Sequence, residues 1–474
     1  MLFSPGSRNR LILLSTIIAA TILLLYSQAE QANYVYGTLS NYVAPSSSPC
    51  LDSIQHQRQI LLSSYADSLH GVTHVALLDA PWHHNAGDSA IWLGEVALLE
   101  ALGIEIRYVC QHDDFSIKEL DAALEDVPLE QTAILLHGGG NFGDIWGGHQ
   151  KLRNQILQAL PNRKIRHFPQ TFEFNLDKPS ELLKETQRAY FDHSDVEIIA
   201  RDSESFDLFK RTFDGIHLKL TPDVALFIGH DQQSPFTPPI MRSPGSDMSI
   251  LGLQGDKKAV FNPPLSPYQN LSQDPNHNPF AWPVMSLSPN PAFDIVVIAR
   301  GDKEGGQNRQ DADVWAGLKP YKMAIKDWAD EWGQIKRPTK ANFGTIDNGA
   351  GEKTTFMDYW NQAASLRVQW AMSMMSTGKI VISDRLHTDI MAILLGIGHV
   401  VIETGQLRKV EKVSNTWLSE CVIPPPPVTT DIKRQSRLTD ANTVFVHDEG
   451  EAIKAARILL SQQANGVKWS RFNR

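Results

Sequence analysis

Four clusters of polar residues follow apolar runs in this sequence, and two of them carry an arginine, a side chain that binds anions. The four are Asn85-Ala86-Gly87-Asp88 after VTHVALLDA, Gly138-Gly139-Gly140-Asn141-Phe142-Gly143-Asp144 after TAILLH, Arg201-Asp202 after VEIIA, and Ser383-Asp384-Arg385-Leu386-His387 after KIVI. Two guanidinium groups brought to one cleft form a fork for a ligand that carries a carboxylate beside a phosphate. The competing reading pairs Arg201 and Arg385 with neighbouring carboxylates. Asp88 and Asp202 read equally as helix N-terminal acids that satisfy free N–H groups. The glycine run is either a tight strand-to-helix turn or a ligand loop, and no Lys-Ser/Thr follows it as a P-loop requires.

Other polar residues have plainer readings. His83 and His84 precede Asn85 and read as solvated loop residues that could touch a ligand. His137 reads as a strand-end residue and His167 as a satisfied core histidine. Arg300, Asp302 and Glu304 follow a later strand and could line the same cleft. No set of residues has metal-ligand spacing, and no cofactor is called for.

The elements that must carry these clusters follow from the hydrophobic pattern. From Val72 onward, short apolar runs alternate with amphipathic segments, including SAIWLGEVALLEAL, IEIRYVC, HQKLRNQILQAL, KIRHFPQ and SELLKETQRAYF. Strands of that length separated by helices specify a parallel sheet covered on both faces. A first Rossmann-like α/β domain therefore spans residues 71–229. Residues 230–291 are rich in Pro, Ser, Asn and Gly and read as a linker or surface insertion. The α/β alternation resumes with FDIVVIAR, TTFMDYWNQAASLRVQWAMSMMS, KIVISD, LHTDIMAILLG, HVVIET, NTVFVH and EAIKAARILLSQQ, giving a second Rossmann-like domain over 292–474. Residues 304–353 within it have no clear reading. Two such domains place a ligand in the cleft between them, beyond the carboxyl ends of the strands, which is where all four clusters fall.

The N-terminus carries an address. Arg8 and Arg10 precede the apolar run LILLSTIIAATILLLY, about 24 Å long as a helix, and Gln28, Glu30 and Gln31 follow it. The charge order predicts a signal anchor within residues 1–29 with the remainder in the lumen; a cleaved signal peptide is the alternative. Residues 30–70, with Pro45-Ser46-Ser47-Ser48-Pro49, read as a stem. Asn270-Leu271-Ser272 is a glycosylation sequon. Cys50, Cys110 and Cys421 allow at most one intrachain disulfide. The chain of 474 residues has a formal charge of -9, so it lacks the basic excess that nucleic-acid binding requires. Any anion must be held by a few locally placed cations.

In this order, the sequence resembles the polysaccharide pyruvyl transferases. The matching motifs are N-x-G-D (Asn85 to Asp88), G-G-G-N-F-G-D followed by His149-Gln150, Pro169-Gln170-Thr171, A-R-D-x-x-S (Ala200 to Ser205), P-D-V-A (Pro222 to Ala225) and S-D-R-L-H (Ser383 to His387), spread over about residues 72 to 410. The resemblance implies a fold like the GT-B glycosyltransferases and phosphoenolpyruvate as donor. It implies a pyruvate ketal on a sugar, with a galactose-containing glycan as acceptor. It implies that Arg201, Arg385, Leu386 and His149 surround the donor, with His387 as the acid, and that Asn85, Asp88, Gly139, Gly140, Asn141, Asp144 and Asp202 line the cleft. The charge order at the N-terminus and the sequon, taken together, predict a type II glycoprotein of the Golgi or endoplasmic reticulum membrane. One departure is Glu403-Thr404-Gly405-Gln406, where many members have an Asp-Asn-Ser-like stretch before a lysine, here Lys409. Two rivals share part of the pattern: a nucleotide-sugar glycosyltransferase of the same fold, and a membrane-tethered glycan-binding protein without catalysis.

Overall fold

Short Val/Ile/Leu-rich runs alternating with helices can bury both faces of a sheet, and the chain builds two parallel sheets in this way. The computed structural model describes residues 49–81, 83, 85–228, 291–301, 309–328, 346–347, 353–354, 356–403, 408–423 and 442–464. The first sheet contains β1 (His74–Leu78), β2 (Glu105–Cys110), β3 (Thr132–Leu136), β4 (Gly139–Gly143), β5 (Ile165–His167), β6 (Gln170–Glu173), β7 (Val196–Ala200) and β8 (His217–Leu220). Its order is β2-β1-β3-β5-β7-β6-β4, with β8 on β7. The second contains β9 (Phe293–Ile298), β10 (Met323–Lys326), β13 (Gly378–Ser383), β14 (Gly398–Ile402) and β15 (Thr443–Val446), in the order β10-β9-β13-β14-β15. A two-stranded antiparallel pair, β11 (Ile346–Asp347) with β12 (Lys353–Thr354), lies between them in sequence.

The helices are α1 (Pro49–Ser68), α2 (Ala86–Ala101), α3 (Ile117–Leu124), α4 (Gly147–Ala159), α5 (Glu181–Phe191), α6 (Ser203–Thr212), α7 (Phe356–Ser376), α8 (Leu386–Leu395), α9 (Lys409–Val413) and α10 (Glu449–Ala464). Each sheet has its own apolar core. Phe142, Phe172, Tyr190, Ile198 and Phe209 belong to the first, and Ile295, Trp315, Ile382, Val400 and Leu459 to the second. Ser48–Arg474 nevertheless forms one compact unit.

Both sheets reverse strand order at a defined place. In the first the switch lies between β1 and β3; in the second it lies between β9 and β13. Crevices outside the carboxyl ends of strands at such switch points are where open α/β sheets bind ligands. The residues there are Asp79 and His137-Gly138 in one sheet, and Arg300 and Asp384-Arg385 in the other.

Two parts of the chain differ from the expectations above. Residues 49–68, placed in the stem, form α1 and belong to the folded body. Ile54, Leu61 and Tyr65 are buried on it, at helical spacing that the surrounding Gln and Ser residues disguise. Arg58 donates to the carbonyls of Leu226 (2.6 Å) and Ile228 (2.5 Å), Tyr65 donates to the carbonyl of His167 (2.8 Å), and Cys50 is disulfide-bonded to Cys421. The unread stretch 304–353 contributes β10, which pairs in parallel with β9, and a 3-10 turn at Ala312–Leu318 that buries Trp315. The apolar run at the N-terminus, residues 229–290 with Asn270, and His84, Asp302 and Glu304 lie outside the described residues. Among the described residues no helix is long and apolar enough to cross a membrane.

Candidate active site

Arg201 follows β7 and is buried, so its guanidinium needs partners. Its Nε donates to Thr171 Oγ1 (2.7 Å) and its Nη1 to Asp223 Oδ2 (2.8 Å). Asp223 follows β8 and caps the short turn Val224–Phe227 by accepting from the amide of Ala225 (2.9 Å). The same carboxylate lies 3.5 Å from Nε2 of His387, which comes from the second sheet. Burial alone would raise the Asp223 carboxyl, but the His387 ring and the Arg201 guanidinium more than reverse this and hold it well below the usual carboxylate range.

His387 stands in the first turn of α8, whose N-cap, Arg385, supplies no side-chain cap. The positive end of the helix dipole at this point favours an anion. The His387 ring passes directly over Gly87 in the first turn of α2; a Cβ on Gly87 would come within 2.6 Å of ring atom Cγ. The N-x-G-D motif therefore needs its glycine for close approach, while Asn85 caps α2 by accepting from the Gly87 amide (3.0 Å) and donating to Asp88 (2.9 Å). Asp88 also lies 3.2 Å from His83.

Arg385 donates to Asp327 (2.6 Å) and stacks 5.0 Å above the Trp328 ring. Lys409 reaches from α9 to Glu173 (3.3 Å) and to the carbonyl of Gly140 (3.4 Å). A Cβ on Gly140 would lie 2.7 Å from the Lys409 ammonium and 3.1 Å from Arg201 Nη2, so a cation from each half converges on this glycine. Gly139 sits at φ +113°, a conformation that favours glycine, and its hypothetical Cβ would face Asp88 at 3.5 Å. Leu386 is buried at the start of α8.

The remaining sequence candidates divide. Asp202 caps α6 through the Ser205 amide (2.7 Å) and hydroxyl (2.8 Å), a structural role. Asp144 accepts from Ser180 Oγ (2.5 Å), which itself caps α5, and so ties the end of β4 to that helix. Asn141 accepts from Arg153 through both its carbonyl and its side chain. His149 is fixed by Asp79, whose oxygens lie 2.8 and 2.9 Å from its Nδ1. His167 is buried against the Tyr190 hydroxyl (2.8 Å), and His137 is buried against Glu95 (2.9 Å). Glu95 also accepts from the Gly138 amide (2.8 Å), which anchors the start of the glycine run.

Sequence reasoning assigned no role to Asp223, Asp79, Asp327 or Trp328. Asp223 carried a signal, since it belongs to the P-D-V-A motif and follows a strand on the same edge. Asp327 and Trp328 lay inside the unread stretch, and Asp79 ended a run taken only as a strand. Arg309, from that stretch also, holds Asp384 (2.8 Å) and Glu449 (2.8 Å).

The halves are stitched around this site. Trp417 donates to the carbonyl of Arg201 (2.8 Å), the Ser203 amide donates to Thr416 (3.1 Å), and Trp92 donates to Asn361 (2.7 Å). The result is a buried set of cationic side chains and a histidine, gathered at the strand ends of two parallel sheets.

The family model for polysaccharide pyruvyl transferase matches residues 85–314. Pyruvyl transferase 1 of Schizosaccharomyces pombe is 27% identical over 391 residues, covering 81% of this chain and 80% of that one. EpsO of Bacillus subtilis is 32% identical over 166 residues, covering 35% of this chain and 48% of that one. A crystal structure of an uncharacterized Klebsiella pneumoniae protein covers 75% of this chain and 91% of that one, at 15% identity and a TM-score of 0.39. The chain is thus similar to the polysaccharide pyruvyl transferases, over residues 85–314 by the family model and over 391 residues by the Schizosaccharomyces pombe relative, and is a transferase.

Proposed function

We propose that the protein transfers the pyruvyl group of phosphoenolpyruvate to two hydroxyls of one sugar in a galactose-containing glycan, giving a pyruvate ketal and phosphate. The observation that carries this reading is the pairing of Arg201 and His387 on one buried carboxylate, Asp223, with one member from each half of the molecule. The donor holds a carboxylate and a phosphate on one carbon. Arg201, Arg385 and Lys409 supply cations for these groups, and the charge-assisted bonds contribute on the order of 1.5–3 kcal/mol each.

Protonation of the donor methylene makes C2 electrophilic, and one sugar hydroxyl attacks there, so that methylene becomes methyl, a C–O bond forms, and the hydroxyl's proton passes back to the group that supplied the first. The second hydroxyl then displaces phosphate and closes the ring; its proton leaves with the phosphate. His387 is the group proposed to deliver the first proton, and Asp223 orients its ring. Leu386 packs beside it. His149 belongs to the donor side, and Asn85, Asp88, Gly139 and Gly140 form the floor on which donor and His387 approach. No cofactor enters the reaction as written.

The location proposed is the lumen of the Golgi or endoplasmic reticulum, with residues 1–29 as a type II anchor and two GT-B-like domains, 71–229 and 292–474, in the lumenal body. A disulfide between Cys50 and Cys421 suits an oxidising compartment, and the sequon at Asn270 suits the same side.

The test uses the full chain purified in detergent, phosphoenolpyruvate, and a panel of galactosides and mannosides. Phosphate release together with an acid-labile ketal on a galactoside is the expected result. Turnover of a sugar nucleotide instead would replace this reading with that of a glycosyltransferase.

A further inference from the structure

Three side chains with metal-ligating atoms meet on the first sheet's carboxyl edge, outside the Arg201–Asp223–His387 group. Asp79 directly follows β1, His112 follows β2, and His149 lies in the first turn of α4. Strands β1 and β2 are parallel neighbours with Leu78 opposite Cys110, so the two connections leave the sheet side by side. One ligand atom from each of Asp79, His112 and His149 lies within 4.8 Å of the others. The two histidine rings are 4.9 Å apart between centroids, at 42°.

We propose that Asp79, His112 and His149 form a binding site for a first-row divalent cation, with zinc as the probe that fits best. At metal–ligand distances of about 2.0–2.2 Å, neighbouring ligand atoms stand about 3 Å apart. Asp79 and His149 already meet that spacing, at 2.8 Å. His112 is the exposed member, and a rotation of its side chain closes the remaining gap. Two imidazoles and one carboxylate suit zinc or manganese better than calcium or magnesium, which take oxygen ligands. Three protein ligands leave a coordination position for water or an anionic oxygen, the pattern of open rather than structural sites.

Two further observations bear on the site. Asp79 is a non-glycine residue at φ +74°, and such backbone persists where the surroundings hold it; the conformation delivers a buried carboxylate to a pair of imidazoles. Arg153 lies 3.8 Å from Asp79 and opposes a dication, but it also donates to the carbonyls of His137 (3.3 Å) and Asn141 (3.0 Å), which spread its charge. The site stands whether or not pyruvyl transfer is the reaction.

The full chain, purified in detergent and stripped by a chelator, is dialysed against zinc buffered at micromolar free concentration, and bound metal is measured by emission spectroscopy. The wild type and His70→Ala, a control on an exposed turn before β1, are expected to retain one zinc per chain. Asp79→Asn and His112→Ala are expected to bind at least tenfold more weakly. His112 is exposed, so its variant folds even if Asp79→Asn does not. A wild type that retains no zinc, or equal retention by His112→Ala, overturns the site.

Discussion

The Nε2 atom of His387 lies 3.5 Å from the Asp223 carboxylate. The two residues come from different sheets, so the contact exists only when the halves are docked. Asp223 also holds Arg201, and one carboxylate thereby sets the relative position of an imidazole from one half and a guanidinium from the other.

If His387 delivers the proton to the donor, removing it should affect the chemical step. His387→Ala should lower kcat by about 10²-fold or more with a modest change in donor KM, and His387→Gln should not restore it, because an amide does not donate a proton. Steady-state kinetics of both variants decide the matter. A near-normal kcat for the glutamine variant would move the acid elsewhere.

Arg201→Lys and Arg385→Lys should impair donor use despite keeping the charge. Arg201 spends Nε on Thr171 and Nη1 on Asp223 and turns Nη2 toward Gly140; Arg385 bonds Asp327 while stacking on Trp328. A single ammonium does neither. Donor KM should rise more than acceptor KM in each variant, and unchanged kinetics would remove both arginines from the site.

Gly87→Ala should cost activity out of proportion to stability. The new methyl would stand within 2.8 Å of the His387 Cβ, at the rigid root of the side chain, so the imidazole must swing aside or α2 must shift. A large fall in kcat with a small change in Tm is the expected outcome. Equal kcat would mean that the ring position over the N-x-G-D turn does not matter.

Asp79→Asn should lower stability in a pH-dependent way even in metal-free buffer. The carboxyl falls from its ordinary 3.8 to about 2 in the fold, so it contributes stability above the unfolded value and loses it as the pH drops through the folded one. A shift of this size corresponds to about 2 kcal/mol at pH 7. Urea midpoints should differ most at neutral pH and converge below about pH 4. A constant deficit down to about pH 3 would show that shape, and not charge, is what Asp79 contributes.

Much of the architecture was legible because the strands are short apolar runs with turn residues at their ends. VEIIA followed by Arg201-Asp202 became β7 with a guanidinium at its tip and Asp202 as an N-cap, and LHTDIMAILLG became α8 ended by Gly396. What stayed hidden was whatever depended on contacts distant in sequence. Helix α1 looks polar until α1 is packed against Leu226 and Ile228. Strand β10 sits inside a stretch whose composition resembles a loop, and its residues find a partner only in β9. Asp79, His112 and His149 belong to three separate connections, so no spacing rule connects them; the parallel sheet does. The tie from Asp144 at the end of the glycine-rich block to Ser180 at the start of α5 was equally out of sight, because the two residues lie far apart in sequence.

During synthesis Cys50 emerges long before Cys421 has been made, and Cys110 is the other thiol available in that interval. Cys110 ends β2, and pairing of β1 with β2 and β3 shuts its sulfur inside the sheet, where it is buried and outside any disulfide. The bond that Cys50 makes instead ties α1 to the turn Ser419–Cys421 near the end of the chain. Once the bond to Cys421 forms, a protease cut in any segment between the two cysteines leaves both pieces on one covalent thread, separable only after reduction.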